Sequence, residues 1–378
     1  DISEIYPTIS ELNNTISNFQ DWMSNEEVDI PITLIGSSAY IHFEPKGNCL
    51  VITPWNYPFY LAISPLIYAI AAGNAAILKP SEFTPHTSHL VQELLEELFE
   101  EDEIAVIQGD HSVSSELLEL KFNHIHFTGS PMVGKLVMQA ASKNLTSCTL
   151  ELGGKSANVA LDDSDPILVA KKAIGACHQN SGQTCSALTR LIIPEEMNEQ
   201  ICEIIAAKND SYLVGNPLDE TTRCGPMVSS RQQSSVTEYI QSGINEGATL
   251  ISGGLGMPDG VDKGFYVKPT IFANVTPNMR IWKEEIFGPV LVITTYKNES
   301  EALSLANDSI YGLSGGVWSA SNERAIEFAK KMRTGQVSIN GGAFNVSAPF
   351  GGYKLSGNGR ELGTHGLDEF LEIKSIQM

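Results

Sequence analysis

The chain has 378 residues, a mass of 41.0 kDa and 42% hydrophobic residues, which suffice for two or three domains with sizeable cores. Its 24 basic and 45 acidic side chains give a net charge of −21, and such a field repels nucleic-acid phosphates and anionic lipid surfaces. The six cysteines include no C-x-x-C pair, so they predict no disulfide scaffold, zinc ribbon or other metal site and favour a reducing, cytoplasmic location.

The first segment is predicted to be a helix with one apolar side. Thr8 and Glu11 have the spacing of a capping box. Apolar side chains then recur every three or four residues, which predicts that the helix covers a core. They are Ile9, Leu12, Ile16, Phe19 and Trp22. Residues 28–43 alternate with a period of two around a Gly-Ser-Ser turn, which indicates a hairpin-like excursion.

Short strands and helices alternate between residues 48 and 154. This order predicts a parallel sheet covered on both faces by helices. The predicted strands are 50–53, 75–78, 105–107, 125–128 and 149–152, and the predicted helices are 61–73, 84–100, 112–120 and 132–142. The least polar stretch, residues 60–78, is interrupted by Pro65 and Gly73, so we expect a buried helix and strand there rather than a membrane span.

A second α/β unit is predicted beyond Ser156. Its strands are 191–193, 291–296, 316–319 and 337–340, and helices 299–306 and 321–332 separate the last three of them. Residues 370–377 form one more strand without a local partner, and we expect this strand to join another sheet.

One segment, residues 127–135, has the pattern of an anion-binding loop. It follows a strand and opens a helix, so its backbone N–H groups could hold phosphate. It nearly matches a P-loop, but Leu136 stands where a P-loop needs a hydroxyl group for magnesium, which argues against a P-loop nucleotidase. A glycine turn that only permits tight packing explains the segment equally well.

Three side chains have the chemistry of an acyl-transfer site. Cys185 follows a Gly182 turn, which would present a thiol in a cleft, although most cysteines are small buried hydrophobes. Glu151 ends an apolar strand, where burial raises the pKa of a carboxyl group towards the range of a general base; a surface pair with Lys155 is the alternative. Asn56 stands between two prolines and could donate to an oxyanion, or could serve only the turn.

Seven motifs occur in the order found in the aldehyde dehydrogenase superfamily, which the chain resembles over nearly its whole length. They are Trp55-Asn56-Tyr57-Pro58-Phe59, Lys79-Pro80-Ser81-Glu82, Phe127-Thr128-Gly129-Ser130, Glu151-Leu152-Gly153-Gly154-Lys155, Gly182-Gln183-Thr184-Cys185, Glu284-Glu285-Ile286-Phe287-Gly288-Pro289 and Pro349-Phe350-Gly351-Gly352-Tyr353-Lys354. Family members begin with a longer helical and strand segment, so we expect this chain to lack part of that N-terminal segment.

The resemblance implies oxidation of an aldehyde to a carboxylic acid with NAD as hydride acceptor. Cys185 is then the nucleophile, Asn56 and the Cys185 N–H hold the oxygen of the thiohemiacetal, and Glu151 activates water to hydrolyse the thioester. Alternatives are transfer of the acyl group to coenzyme A, and a catalytically weak truncated scaffold of the same fold. Glu151 argues against the first alternative, because acyl transfer to a thiol has less need of a general base.

The resemblance also implies a cofactor site and a substrate site. Lys79 and Glu82 lie near the adenosine ribose, and the Glu82 carboxylate favours NAD over NADP, although Lys79 leaves NADP use open. These two residues would otherwise be ordinary charges at a strand end and a helix start. The further cofactor-binding residues are Thr53, Trp55, Gly129, Ser130, Gly134, Glu285 and Phe287. Tyr57 and Phe350 are expected to line the path of the aldehyde.

The fold class that follows is α/β with three parts. Residues 1–26 and 47–153 are expected to form a Rossmann-like NAD-binding domain with a parallel sheet, and residues 154–365 a second α/β domain that carries catalysis. Residues 27–46 and 366–378 resemble the family's oligomerisation strands, which implies a homodimer or homotetramer. Apart from a small-molecule aldehyde, we expect no nucleic-acid or membrane partner.

Overall fold

The structure, a computed structural model, describes residues 2–378 and divides into two units. The first unit comprises Asp1–Glu151, Asn345–Gly351 and Gly357–Met378, and the second comprises Leu152–Phe344 and Gly352–Ser356. The sequence therefore leaves the first unit near Glu151 and returns to it near the C-terminus.

Residues 2–151 contain five α-helices and seven strands. The helices are α1 (Ile5–Trp22), α2 (Tyr60–Ala71), α3 (Pro85–Leu98), α4 (His111–Leu117) and α5 (Pro131–Ser142). The strands are β1 (Glu26–Glu27), β2 (Ala39–Pro45), β3 (Asn48–Ile52), β4 (Ala75–Lys79), β5 (Ile104–Val106), β6 (His124–Thr128) and β7 (Ser147–Glu151). Between residues 48 and 154, each strand and helix predicted from the sequence is present, with bounds that differ by at most three residues.

Residues 152–344 contain six helices and eight strands. The strands are β8 (Ala157–Ala160), β9 (Arg190–Pro194), β10 (Thr249–Ser252), β11 (Thr270–Ala273), β12 (Val290–Tyr296), β13 (Tyr311–Gly312), β14 (Ser314–Trp318) and β15 (Gln336–Ile339). The helices are α6 (Pro166–His178), α7 (Asn198–Asp210), α8 (Ser230–Asn245), α9 (Arg280–Lys283), α10 (Glu299–Asn307) and α11 (Asn322–Ala329).

The last 34 residues add short elements. They are β16 (Tyr353–Lys354), β17 (Gly357–Asn358), α12 (Gly363–Asp368) and β18 (Leu371–Gln377). Strand β16 pairs with β13 in the second unit, whereas β17, α12 and β18 belong to the first unit.

A six-stranded sheet forms the centre of the first unit. Its order is β17-β7-β6-β3-β4-β5, and all neighbours are parallel except β17, which runs antiparallel to β7. Buried residues of β3 and β4 pack with α2 and α3 into one apolar core. The predicted α/β fold with a Rossmann-like parallel sheet is confirmed.

A three-stranded sheet joins the two ends of the first unit. Its order is β1-β2-β18, and β18 pairs antiparallel with β2 from Leu371 opposite Pro45 to Gln377 opposite Ala39. The strand expected at residues 370–377 is present as β18, and it joins the sheet of β1 and β2 from the same chain. The hairpin-like excursion is present as β1 and β2, but residues 32–34 form a 3-10 helix rather than a strand.

Helix α1 buries its polar side, which contradicts the expected packing. Thr8, Glu11 and Thr15 are buried, whereas Ile9 and Ile16 are 53% and 61% exposed. The predicted capping box is also absent, because the helix begins at Ile5 and the hydroxyl of Thr8 donates to the Glu4 carbonyl. The physical reason is that α1 packs on polar groups of α2, where Ser64 donates a 2.7 Å hydrogen bond to Glu11.

A seven-stranded sheet forms the centre of the second unit. Its order is β10-β11-β12-β9-β8-β14-β15, and only the pair of β10 and β11 is antiparallel. Alternate residues of β9 and β12 enter two separate apolar cores, for example Ile192 in one and Leu191 in the other. The sequence prediction missed helices α6, α7, α8 and α9 and strands β8, β10, β11 and β13.

Candidate active site

Four of the predicted site residues lie at one edge of the first unit's sheet. Glu151 ends β7 opposite Thr128, and Lys79 ends β4 opposite Ile52. Two hydrogen bonds continue the sheet beyond these ends, from Gly129 N to the Glu151 carbonyl at 3.0 Å and from Thr53 N to the Lys79 carbonyl at 3.2 Å. The carboxyl edge of a parallel sheet is where open α/β folds bind ligands.

Lys79 and Glu82 form a pair beyond β4. The Lys79 side chain is 3% exposed, and its Nζ lies 3.5 Å from Glu82 Oε2 and donates to the Pro80 carbonyl at 3.1 Å. The Glu82 side chain is 37% exposed and can accept hydrogen bonds from a ligand. A carboxylate held in this way suits the hydroxyl groups of a ribose.

The glycine-rich segment after β6 is built mainly for packing. A Cβ on Gly129 would lie 2.6 Å from the Phe127 ring. The N–H of Gly134, which is buried inside α5, donates to the Ser130 carbonyl at 2.9 Å. Exposed Ser130 is the N-cap of α5 and accepts from Val133 N. The N–H groups of both glycines are thus engaged within the protein, so the helix N-terminus at Ser130 is the part that fits an anionic group.

The Glu151 carboxyl group is buried without a hydrogen-bond partner. The residue is 3% exposed, and no residue in the described range 2–378 donates to either of its oxygens. Burial raises the pKa of Glu151 well above 4.5; Glu361 and Glu369 raise it further, and Arg360 lowers it. Such an acid holds its proton more tightly than an exposed one, and its deprotonated form is a stronger base.

The surroundings of Glu151 come from the end of the chain. A Cβ on Gly351 would lie 2.7 Å from Glu151 Oε1, so glycine is required there. Buried Glu361 pairs with the backbone of Phe350, and its Oε1 lies 2.8 Å from Nε2 of buried His126. Sequence reasoning missed Arg360, Glu361 and Glu369, because about 210 residues separate them from Glu151.

Asn56 lies in the loop between β3 and α2. It is buried, and Trp55 and Tyr57 on either side are half-buried. A carboxylate secures the end of this loop, since Glu4 Oε2 accepts from Phe59 N at 2.8 Å and Tyr60 N at 3.2 Å. Glu4 was not predicted to have this role.

Phe350 is half-buried and packs against the apolar core of the first unit. Its backbone exchanges two hydrogen bonds with Glu361, at 2.8 and 2.7 Å. Its position is therefore tied to one of the acids around Glu151.

Cys185 belongs to the second unit, in a loop between α6 and β9. Three consecutive residues enter the loop with positive φ, namely Asn180, Ser181 and Gly182 at 49°, 56° and 75°. A Cβ on Gly182 would lie 2.1 Å from the Gly288 carbonyl oxygen, so only glycine fits. Cys185 itself is half-buried.

Hydrogen bonds tie the cysteine loop to residues 225–228. The Ser181 hydroxyl accepts from Gly225 N at 2.9 Å, and Gln183 Oε1 accepts from Val228 N at 2.9 Å. The Gln183 amide also donates to the Pro226 carbonyl. A loop held by two side chains presents its cysteine in one position.

The other five cysteines are poor nucleophiles. Burial raises the pKa of Cys49 and Cys177 to about 12. It raises the pKa of Cys148, Cys202 and Cys224 to about 11. A thiol with such a pKa is almost fully protonated at neutral pH, and the protonated form is inert.

Gly153 and Gly154 bring Glu285 close to the cysteine loop. Gly154 N donates to Glu285 Oε1 at 2.9 Å, and a Cβ on Gly153 would lie 2.0 Å from Glu285 Oε2. A Cβ on Gly154 would lie 2.6 Å from the Cys185 carbonyl oxygen. Burial raises the pKa of Glu285 to about 7, against the opposing effects of Gly154 N–H and Lys155.

Phe287 also has a fixed backbone. Its φ is 55°, and its carbonyl accepts from the Gln232 side chain at 2.9 Å. The second unit thus brings together the predicted residues Cys185 and Glu285 and holds Phe287 two residues further on.

Two structural features are absent from residues 2–378. No helix in this range has both the length and the apolar character needed to cross a membrane. The same range contains no group of three or more His, Cys, Asp or Glu side chains arranged to hold a metal ion.

Comparison with known proteins places these features in a family. The model of the aldehyde dehydrogenase family matches residues 2–376. A 3-succinoylsemialdehyde-pyridine dehydrogenase of a Pseudomonas species is 43% identical over 336 residues, which cover 88% of this chain and 70% of the relative. Betaine aldehyde dehydrogenase of Bacillus subtilis is 41% identical over 345 residues, with 90% and 70% coverage.

Solved structures show the same similarity. A Mycobacterium tuberculosis aldehyde dehydrogenase in complex with NAD+ matches with a TM-score of 0.94 and 36% identity, over 99% of this chain and 77% of that one. A mutant of aldehyde dehydrogenase C from Pseudomonas syringae, in complex with NAD+ and octanal, matches with a TM-score of 0.91 and 37% identity, over 98% and 76%.

Proposed function

This chain belongs to the aldehyde dehydrogenase family, and from that premise we propose that Cys185, Glu151 and Asn56 carry out the oxidation of an aldehyde to a carboxylic acid with NAD+. The observation that carries the proposal is the Glu151 carboxyl group, which is buried, lacks a hydrogen-bond donor among residues 2–378 and has a raised pKa. A buried acid with only a structural role would be expected to have hydrogen-bond partners, whereas an unpartnered acid with a raised pKa is typical of a functional site.

Cys185 is the nucleophile in this proposal. Its sulfur adds to the carbonyl carbon of the aldehyde, and the carbonyl oxygen becomes the oxyanion of a thiohemiacetal. The rigid loop around Gly182 and Gln183 supports this role, because it holds the sulfur in one place. The raised pKa values of the other five thiols leave them unsuited to the same step.

Asn56 stabilises the oxyanion in this proposal. Its amide group can donate a hydrogen bond without adding a charge, and the Cys185 N–H is the second donor. The burial of Asn56 and the hold of Glu4 on the end of its loop support a fixed donor.

Bound NAD+ accepts the hydride that leaves the thiohemiacetal carbon. We propose that Lys79 and Glu82 hold the adenosine ribose, with Thr53 and Trp55 beside it, and that Ser130 at the N-terminus of α5 meets the pyrophosphate. In the same proposal Gly129 and Gly134 shape this site rather than donate to it, and Glu285 and Phe287 position the nicotinamide ribose and ring. Glu82 favours NAD+ over NADP+, because a carboxylate repels a 2′-phosphate.

Glu151 completes the reaction in this proposal. It takes a proton from a water molecule, the water oxygen adds to the thioester carbon, and the carbon–sulfur bond breaks to give the acid and the Cys185 thiolate. The sum is aldehyde, NAD+ and water to carboxylic acid, NADH and a proton. A raised pKa suits this step, since a stronger base removes the proton from water more readily.

The assignment of functions to segments of the chain is also a proposal. We propose that residues 1–26 and 47–153 bind NAD+, that residues 154–365 carry catalysis, and that residues 27–46 and 366–378 join subunits into a homodimer or homotetramer. Strand β18 is an edge strand whose Ile373 is 69% exposed, which supports pairing with a second chain. We also propose a cytoplasmic location, which is supported by the six cysteines forming no disulfide among residues 2–378.

We propose apolar or aromatic aldehydes as the substrate class, and the half-buried residues Tyr57 and Phe350 support this choice. The test is an aldehyde panel with NAD+, in which formation of NADH is followed by its absorbance. The panel should include octanal, which is bound in one similar structure, and betaine aldehyde, for which one relative is named. NADH formation without coenzyme A supports the proposal, and absence of NADH with every aldehyde contradicts it. A strict requirement for coenzyme A would instead favour the acyl-transferring alternative.

A further inference from the structure

One face of the first unit's sheet carries a run of polar side chains that leads to Glu151. Ser147, Thr149 and Glu151 alternate along β7 and therefore share a face, and His124 and His126 lie on the same face of the neighbouring β6. His124 Nδ1 lies 2.8 Å from Ser147 Oγ, and its Nε2 lies 3.2 Å from Thr149 Oγ1. Burial lowers the pKa of His124 well below 6.5, so this histidine is neutral at physiological pH. The face is therefore polar but not positively charged at His124.

A carboxylate from the end of the chain lies against this face. Glu369 is half-buried, and its Oε2 accepts from the Thr149 hydroxyl at 2.8 Å. Its Oε1 accepts from the backbone N–H of Arg360 at 3.1 Å. The Glu369 side chain thus joins the middle of β7 to residues 359–361, the segment that follows β17.

The backbone of Glu369 is itself held in place. The Lys46 ammonium group donates to the Glu369 carbonyl at 2.6 Å. The next residue, Phe370, is buried, and the centre of its ring lies 5.1 Å from that of His124 and 6.2 Å from that of His126. A side chain with a fixed backbone and two hydrogen bonds has little freedom, so Glu369 can hold the segment that it contacts.

The segment that Glu369 holds packs around the Glu151 carboxyl group. A Cβ on Gly351 would lie 2.7 Å from Glu151 Oε1. The same position lies 2.8 Å from Arg360 Cδ and 2.9 Å from the Gly359 carbonyl oxygen. Gly359 has a φ of 80°, and a Cβ there would lie 3.1 Å from the carboxyl carbon of Glu369. Close contacts therefore connect the Glu369 carboxylate to the surroundings of Glu151.

We propose that Glu369 is a positioning residue for Glu151, because its carboxylate holds residues 359–361 against β7 and so fixes the charged groups around the proposed general base. These groups are Arg360 and Glu361, and Glu361 Oε1 lies 2.8 Å from Nε2 of His126. This role rests on the function proposed above for Glu151 in hydrolysis of the thioester. Glu369 acts through Glu151 rather than on the substrate.

The charge of Glu369 has a second effect on Glu151. Burial is the main cause of the raised pKa of Glu151; Glu361 and Glu369 raise it further, and Arg360 lowers it. The other charged or titratable groups near Glu369 are Lys46, Asp368 and His124. A neighbouring negative charge disfavours the carboxylate form, so loss of the Glu369 charge should lower the pKa of Glu151. Hydrolysis should then reach half of its maximal rate at a lower pH.

Three variants separate the charge of Glu369 from its hydrogen bonds. Glu369→Gln removes the charge, and its amide can still bond to the Arg360 N–H and the Thr149 hydroxyl. Glu369→Ala removes both, and Thr149→Val removes one hydrogen bond and keeps the charge. In the pH profile of single-turnover acid formation, the midpoint should fall by about 0.5 pH unit in both Glu369 variants and stay in place in Thr149→Val. The rate above the midpoint should fall about 10-fold in Glu369→Ala and less in Thr149→Val.

Infrared titration of Glu151 tests the same role without catalysis. The band of the protonated Glu151 carboxyl group is obtained as the difference between proteins with and without Glu151→Gln, and Glu369→Gln should lower its midpoint. If this midpoint falls in a protein that forms no acid, the role of Glu369 is supported and the proposed function is contradicted. Midpoints that stay at the wild-type pH in both Glu369 variants, even with a lower Tm, would show that Glu369 only stabilises the fold and would overturn the proposal. Glu119→Gln is the control and should change neither midpoint, because Glu119 is exposed and pairs with Lys143.

Discussion

The hydroxyl of Ser64 donates a 2.7 Å hydrogen bond to Glu11 Oε1 in the interior of the first unit. Glu11 is fully buried on α1, and its second oxygen has no partner among residues 2–378. Burial raises the pKa of Glu11 to about 7 against the effect of the Ser64 hydrogen bond, and Glu361 raises it further. The protein therefore keeps a carboxylic acid, rather than a carboxylate, at this helix contact in mildly acidic solution.

Stability should depend on pH through Glu11. Because its folded pKa of about 7 lies above the ordinary 4.5, the folded state holds a proton that the unfolded state releases between these values. The free energy of unfolding should therefore fall as pH rises from 4.5 to 7, by up to about 3 kcal/mol from this group. Glu11→Gln should lose this part of the dependence. Urea unfolding of both proteins from pH 4.5 to pH 8 measures it, and parallel curves would contradict it.

Cys185→Ser should abolish aldehyde oxidation. A serine hydroxyl is much harder to ionise than a thiol, so turnover should fall on the order of 1,000-fold or more. NAD+ affinity, measured by calorimetry, should stay unchanged. Cys202→Ser is the control, because Cys202 is half-buried on α7 and its raised pKa gives it no part in the reaction. Normal turnover in Cys185→Ser would end the assignment of the nucleophile.

Glu151→Gln should slow hydrolysis of the thioester more than hydride transfer. Removal of a general base typically costs about 100-fold or more in the step that it assists. A rapid-mixing experiment should then show a burst of NADH followed by slow turnover. A variant that loses the burst and keeps normal hydrolysis would contradict the role given to Glu151.

The rate of hydrolysis should rise with pH across the pKa of Glu151. The base acts only when deprotonated, and its pKa lies well above 4.5, so activity should already decline at a pH where an exposed glutamate would remain ionised. The measurement is the pH profile of single-turnover acid formation. A profile that is flat down to pH 5 is the result that the proposal does not allow.

Gly182→Ala should disturb the cysteine loop. The new methyl group would meet the Gly288 carbonyl oxygen at 2.1 Å in a backbone with φ of 75°, so we expect a loss of about 2 kcal/mol in stability or more. A displaced cysteine should also lower kcat/KM, by about 100-fold for a shift near 1 Å. Gly175→Ala is the matched control, because this exposed glycine of α6 has open space around its Cβ position and should gain about 0.5 to 1 kcal/mol.

The sequence predicted those parts of the fold that depend on local pattern. Alternation of β-rich and helical segments placed β3 to β7 and α2 to α5 within a few residues. Helix α1 was identified, but its buried side was not, because the polar groups of Ser64 and its neighbours decide that side. A prediction from periodicity assumes that a helix packs on an apolar surface. Helix α1 instead buries Glu11 against the Ser64 hydroxyl of α2, so the assumption fails here.

The residues of the candidate site could be proposed from the sequence only where they stand in motifs. Cys185, Glu151 and Asn56 stand in recognisable segments, and Glu285 could be added from the family pattern. The acids around Glu151 and the Glu4 contact to Tyr60 carry no local signal, because they reach their positions through pairing between distant parts of the chain. Lys155 stood within a quoted motif, yet its burial without a partner could only be seen in three dimensions.

The return of β17, α12 and β18 to the first unit has a consequence for how the protein folds during synthesis. Most of the second unit is one continuous segment, Leu152–Phe344, which can begin to fold before translation of the chain is complete. Strand β7 can pair with β6 and β2 with β1 early, but the other edge of β7 must wait for Gly357 and that of β2 for Leu371. Each strand therefore keeps one unpaired edge for most of translation. Their exposed backbone in the nascent chain is the place where a chaperone would be most needed.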